Sequence, residues 1–92
     1  MSGTTRADDS AGWHIYIVRC ADGSLYTGVT NRIDARIAVH NAGRGARYTR
    51  SRLPVELVYW EPADDRSTAL RREAQIKRLS ADEKKSLVAR RK

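Results

Sequence analysis

From Trp13 to Cys20 the string WHIYIVRC is dense in β-branched and aromatic residues. ADGS interrupts it with turn-formers, and LYTGVT then restores the same character through Thr30. The pattern predicts a β-hairpin, and the loop that closes it decides which residues share a face, because a one-residue slip turns a whole strand over. A two-residue Asp22-Gly23 turn would set Arg19 against Tyr26 and Tyr16 against Val29, sending the two tyrosines to opposite faces. A three-residue loop, Ala21-Asp22-Gly23 with Gly23 in the left-handed position, instead sets Val18 against Tyr26 and Tyr16 against Gly28. The three-residue loop is the predicted one. It puts both tyrosines on one face, leaves open space over Gly28 opposite the Tyr16 ring, and makes Ile15, Ile17, Leu25, Thr27 and Val29 the core on the other face.

Beyond the hairpin the period changes. Ile33 and Ile37 repeat at helical spacing, Asn31 and Asp34 are candidate caps, and Gly43 suits a left-handed stop, so a first helix is expected over about Asn31 to Ala42. GRGARYTRSRLP has no periodic apolar residue before Leu53 and reads as an exposed basic loop. VELVYW, Val55 to Trp60, has strand composition, with Pro54 at its start where no ladder donor is needed, and EPADDRS forms the next connection. A second helix is predicted from Ser67 through Leu79. Ser80-Ala-Asp-Glu83 has capping-box spacing and opens a third helix through Leu87 and Val88. The order β-β-α-β-α-α implies a small α+β fold, a three-stranded sheet with an antiparallel hairpin flanked by helices, its third strand joined through the first helix.

Length and charge narrow what such a fold can do. Ninety-two residues leave room for one domain, placed at Trp13 to Lys92, with residues 1–12 expected to be a disordered tail lacking the apolar run of a signal peptide. Eighteen Lys and Arg against 11 Asp and Glu give a net charge of +7, which favours a polyanionic partner, nucleic acid foremost, through long-range attraction and counterion release. Cys20 is the only cysteine, which excludes an intrachain disulfide and a Cys-rich zinc site and fits a cytoplasmic setting.

Two helical positions carry candidate chemistry. Arg36 and His40 are neighbours four residues apart beside the Ile33 and Ile37 stripe, so they border the core. On the second helix, Ala69, Leu70, Ala74 and Ile76 span an arc whose middle is held by Glu73. A carboxylate so placed needs a cation, either an arginine such as Arg36 in an internal salt bridge or a metal ion.

These residues together resemble a known family. HIY at His14 to Tyr16 and YTG at Tyr26 to Gly28 are similar to the paired motifs of GIY-YIG nucleases. Arg36 follows the second tyrosine by ten residues, His40 comes one turn later, and Glu73 stands where the family has its metal-binding glutamate. Each motif alone is weak; five positions in order within one β-β-α-β-α frame are specific. The text RIAVHNAGRGARYTRSRLPVELVYWE followed by ALRREAQIKRL resembles the small stand-alone bacterial branch and the flap-cutting branch, so that Trp13 to about Val88 is covered. His14 replaces the usual Gly and Thr27 the usual Ile, and no asparagine stands near the C-terminus where many family nucleases place one.

The resemblance implies a metal-dependent endonuclease that hydrolyses DNA phosphodiesters. Glu73 would hold a single Mg²⁺ or Mn²⁺, and Arg36 would stabilise charge on the reacting phosphate. Tyr26 would be the general base with Tyr16 orienting it, although deprotonating an ordinary tyrosine costs about 4 kcal/mol at neutral pH. His40 is the rival base. Arg44, Arg47, Arg50 and Arg52 would hold the backbone, with Tyr48 packing on a sugar or base. Such contacts carry little sequence information, so branched, flap or single-stranded DNA is the expected substrate, in repair or recombination. The alternative is a non-catalytic nucleic-acid-binding module on the same fold. A third possibility is a basic accessory protein that meets ribosomal RNA or an acidic partner, with Glu73 in a plain salt bridge.

Overall fold

The structure, a computed structural model, describes residues 12–91; the expected tail lies almost wholly outside the described residues. Strand β1 (Trp13–Arg19) is central, with β2 (Leu25–Thr30) on one side and β3 (Glu56–Ala63) on the other, both antiparallel to it. Gly23 takes φ +87°, the conformation a three-residue loop asks of it, and Cys20 N donates to Ser24 O at 2.8 Å to close the hairpin. The register follows: Tyr16 faces Gly28 and Val18 faces Tyr26.

Both faces of this sheet are covered. Ile15, Ile17, Tyr59, Ala69, Ile76 and Leu87 form the core on one face. Tyr16, Val18, Cys20 and Val55 form a second on the other, with Tyr26, Ile37, Leu53, Leu57 and Trp60 packed around it. The near-continuous apolar run of β1, buried from His14 to Val18, is the sequence mark of a strand covered on both sides. The expected open space over Gly28 is not there, because the phenol end of Tyr16 fills it.

The helices differ from expectation mostly at their ends. Helix α1 spans Ile33–Asn41; its N-cap position is Arg32, whose side chain makes no cap bond, while Thr30 Oγ1 accepts from Arg32 N at 3.0 Å. The basic segment is not simply a loop. Arg47–Arg50 form a one-turn helix, α2, whose Thr49 is fully buried. Strand β3 begins one residue later than predicted and runs on through Glu61, Pro62 and Ala63, which pair with Ile15, His14 and Trp13. It is an edge strand, where a proline lacking its N–H is tolerated. Helix α3 (Arg66–Lys77) starts one residue before Ser67 because Asp65 caps it, accepting from Thr68 N at 2.7 Å. Helix α4 (Ala81–Arg91) has the predicted box: Ser80 N donates to Glu83 Oε1 at 2.8 Å and Glu83 N to Ser80 Oγ at 3.1 Å. Among the described residues no helix is long and apolar enough to cross a membrane.

Asn41 joins α1 to the start of β3. Its side chain accepts from Val55 N at 2.8 Å and donates to Val55 O at 3.1 Å, acting as a surrogate strand for a residue that has not yet entered the ladder. Asn41→Ala leaves a buried backbone amide without a partner and should cost about 2 kcal/mol in urea unfolding, with Asn41→Asp, which keeps the acceptor, costing less. A loss under about 0.5 kcal/mol in the alanine variant would show that these two bonds do not hold the junction.

Candidate active site

Tyr16 lies on the central strand and is 1% exposed, so its hydroxyl must be satisfied inside the protein. Its ring reaches across β2 at Gly28, where a Cβ would overlap the phenol oxygen. Tyr16 Oη meets His40 Nε2 at 2.9 Å. His40, on the last turn of α1, is also fully buried, and its Nδ1 lies 2.9 Å from Thr49 Oγ1 of α2. Thr49 Oγ1 in turn donates to the Ala46 carbonyl at 3.0 Å. Gly45 makes the approach of the two helices possible, since a Cβ there would overlap the imidazole.

The second tyrosine sits beside this chain of bonds. The Tyr26 ring meets His40 edge-on, centroids 5.5 Å apart, and stacks on Tyr48 at 5.9 Å with an interplanar angle of 22°. Tyr48, 39% exposed, is covered on its ring by the Arg52 guanidinium at 4.0 Å. The Lys77 ammonium lies 5.8 Å from the Tyr26 ring centre.

Charge around the buried pair is arranged by burial first. Burial pushes the Tyr16 hydroxyl above the ordinary tyrosine value; a hydrogen bond from Arg36 pulls it down, Tyr26 pushes it up, and the charges of Arg36 and Glu73 act in opposite senses. Burial, seconded by the Arg36 charge, holds His40 below the ordinary histidine value, so the ring is neutral at physiological pH. Arg36 therefore disfavours a cation on His40 while favouring an anion on Tyr16.

The apolar arc predicted for the second helix is displaced. Leu70 and Ala74 are exposed, whereas Ala69 and Ile76 are fully buried and Arg72 and Glu73 half-buried, so the inward face is set by positions 69, 72, 73 and 76. Glu73 still lies on that face, between Ala69 and Ile76. It forms an ion pair with Lys77, one turn on at 3.4 Å, and not the expected one with Arg36. Among the described residues no group of three or more His, Cys, Asp and Glu gathers that could hold a metal ion. Any ion here would rest on one protein carboxylate, a donor set that suits a hard cation completed by water and phosphate and does not suit zinc.

His40 thus touches both Tyr16 and Tyr26, and the charges of Arg36 and Glu73 act on Tyr16. The loop arginines divide. Arg44, Arg47 and Arg50 are exposed, while Arg52 is held inward, donating to Asp22 Oδ2 at 3.1 Å and to Tyr48 O at 2.7 Å. Thr49 and Gly45 were not foreseen. They stand in a stretch without apolar period, and the sole hint was a second glycine two residues after the one that ends α1.

The profile of the GIY-YIG catalytic domain matches residues 12–86. The chain belongs to the GIY-YIG family. It is 57% identical over 81 residues to UPF0213 protein DP2720 of Desulfotalea psychrophila, covering 87% of this chain and 74% of that protein. It is 52% identical over 75 residues to UPF0213 protein SH2523 of Staphylococcus haemolyticus, covering 82% and 92%. The solution NMR structure of UPF0213 protein BH0048 from Bacillus halodurans is similar at TM-score 0.55 and 42% identity, covering 85% of this chain and 83% of that one. The matched domain is a catalytic one and points to nuclease activity.

Geometry explains the paired GIY-YIG motifs here. The glycine closing the second motif, Gly28, gives room to the tyrosine closing the first, Tyr16. The two departures are structural. His14, in place of Gly, is buried with Nδ1 at 3.1 Å from Gly12 O. Thr27, in place of Ile, is buried with its hydroxyl unpartnered, a polar atom that isoleucine would not carry into the core.

Gly45→Ala should destabilise the protein by about 1–3 kcal/mol in denaturant unfolding, as an overpacked core does, because the methyl group must displace His40. An unchanged midpoint would mean that α2 moves away freely. For pH, the unfolded chain takes up a proton at His40 more readily than the folded one, so its share of stability is full above the unfolded value of 6.5 and is lost as pH falls below it. Unfolding free energy measured from pH 8 to 5 should therefore fall more steeply for the parent than for His40→Gln, by at most about 1.4 kcal/mol per pH unit. Parallel curves would show that His40 is not held neutral.

Proposed function

We propose that this chain is a divalent-metal-dependent endonuclease acting on DNA by structure more than by sequence. The observation that carries it is the buried Tyr16 hydroxyl hydrogen-bonded to a buried, neutral His40, with the charges of Arg36 and Glu73 both acting on that hydroxyl. Such a group has little use as packing and suits a site that moves protons beside a phosphate.

Hydrolysis requires in-line attack of water on the phosphodiester, with charge building on the non-bridging and departing oxygens. Glu73 would hold the Mg²⁺ or Mn²⁺, which when bound supplies positive charge against those oxygens. Arg36 gives a second, fixed positive charge. For the base, the hydrogen bonds favour Tyr16 with His40 over Tyr26: Tyr16 has a partner poised for its proton, whereas Tyr26 is placed by ring contacts with His40 and Tyr48 and serves to wall and orient the site. Exposed Arg44, Arg47 and Arg50 would meet phosphates, and Arg52 would act indirectly by bracing Tyr48 for stacking on a base or sugar. Beyond Tyr48 an open groove of about 440 Å³ passes between the hairpin tip and α4 along Lys84 and Lys85, a path for a single strand leaving the site. We place the protein in the cytoplasm, where its single buried cysteine stays reduced, in the processing of branched DNA during repair or recombination.

The Glu73–Lys77 pair favours one other reading, a DNA-binding module without turnover in which Lys77 stands where the ion would. Labelled duplex, flap and single-stranded DNA incubated with Mg²⁺ or Mn²⁺ separates the two. The parent should cut flap or single strand in preference to duplex, and Glu73→Gln and Arg36→Ala should each lose at least about 100-fold in rate. Cutting undiminished in both variants removes the site, and retention of DNA with no metal-dependent cutting selects the binding module.

A further inference from the structure

We propose that Thr49 is a positioning residue that fixes His40 in the tautomer with its proton on Nδ1, leaving Nε2 as the acceptor for the Tyr16 hydroxyl. The donors and acceptors of the buried chain run one way when counted from either end. At the far end, a backbone carbonyl can only accept, so the single proton of the Thr49 hydroxyl points at Ala46 O, and toward His40 Thr49 presents a lone pair. Nδ1 must then carry the proton. At the near end, the Arg36 guanidinium, whose charge acts on Tyr16, has only N–H groups to offer and cannot accept the phenol proton. Were Nε2–H also a donor to that oxygen, the phenol proton of a side chain 1% exposed would have no acceptor among these groups. Both ends give the same order: Tyr16 O–H to His40 Nε2, His40 Nδ1–H to Thr49 Oγ1, Thr49 O–H to Ala46 O.

The consequence rests on the nuclease reading above. When Tyr16 gives up its proton, that proton has one destination: it leaves Oη and binds Nε2, turning neutral imidazole into imidazolium with both nitrogens protonated, while the phenolate stays beside Arg36. In the opposite tautomer Nε2 already bears a proton and the transfer is closed. Thr49 lies on the same turn of helix as Tyr48, which stacks on Tyr26, and between exposed Arg47 and Arg50. The residue that orients the proton acceptor is thereby carried on the element that the DNA backbone would meet.

The chain has two histidines, so His14→Gln in the full-length protein leaves His40 as the only ring to observe. Long-range ¹H–¹⁵N spectra of that protein at pH 8 should show the Nδ1–H tautomer, retained in Thr49→Ser and shifted toward Nε2–H in Thr49→Val. Nε2–H in the parent, or Nδ1–H undisturbed in Thr49→Val, overturns the proposal. Should Thr49→Val not fold, the parent spectrum and Thr49→Ser still decide it. On flap DNA, Thr49→Val should lower kcat at least tenfold with KM unchanged, and Thr49→Ser should restore it; a kcat equal to the parent's also overturns the positioning role. The spectra do not depend on cleavage. A parent that shows Nδ1–H but cuts no DNA supports the tautomer and refutes the nuclease reading, whereas a parent that cuts DNA with His40 as Nε2–H refutes the tautomer alone.

Discussion

A phenol and an imidazole sealed from water can keep their polar atoms only by satisfying each other, and the rest of this small fold is arranged to let Tyr16 and His40 do so. They come from distant places, the middle of the central strand and the last turn of α1, and two glycines clear the way between them. Gly28 lets the ring cross the neighbouring strand and Gly45 lets α2 close over the imidazole. The hairpin loop matters for the same reason: one residue fewer would send Tyr16 to the opposite face, and Gly28 would no longer lie under it.

The sheet tolerates such a polar insertion because its other face is tied independently. Ile15 and Ile17 point to a core closed by Ala69, Ile76 and Leu87. At its edge the Tyr59 hydroxyl donates to Glu61, which also takes two bonds from Arg72 at 2.7 and 3.3 Å. A two-pronged guanidinium pair of this kind fixes α3 against β3 by geometry as well as charge. Helix α3 is therefore set in place from the Ile15 side, and the charge of its Glu73 acts on Tyr16. Position and chemistry are carried by different residues of one helix.

What could be read from the chain and what could not divides along the range of the interactions. The hairpin register was legible because loop chemistry at Gly23 and strand alternation are local and agree. The capping box at Ser80 and Glu83 was legible for the same reason. Helix ends were less so: Asp65, which starts α3, lay in a run of polar residues where any of several could cap. The buried face of α3 was misjudged at Leu70 and Ala74 because residue type, without knowledge of where the sheet lies, says little in a helix with so few apolar residues. Thr49 was illegible on physical grounds. A threonine among arginines carries no periodic signal, and its burial comes from meeting a histidine nine residues earlier across a turn that only the folded chain supplies.

The Glu73–Lys77 pair bears on why a carboxylate stands on the inward face of α3 at all. Pairs spaced by one helical turn and open to solvent on one side contribute about 0.3–0.5 kcal/mol, and this lysine is half exposed. That is small beside the cost of half-burying a carboxylate on the helix face that carries the buried Ala69 and Ile76. Lys77 is on a flexible stem and can yield to a cation of higher charge, whereas the charge of Arg36 acts on Tyr16. Under the proposed function, the weak and exchangeable Lys77 contact is the one that a metal ion would displace at Glu73.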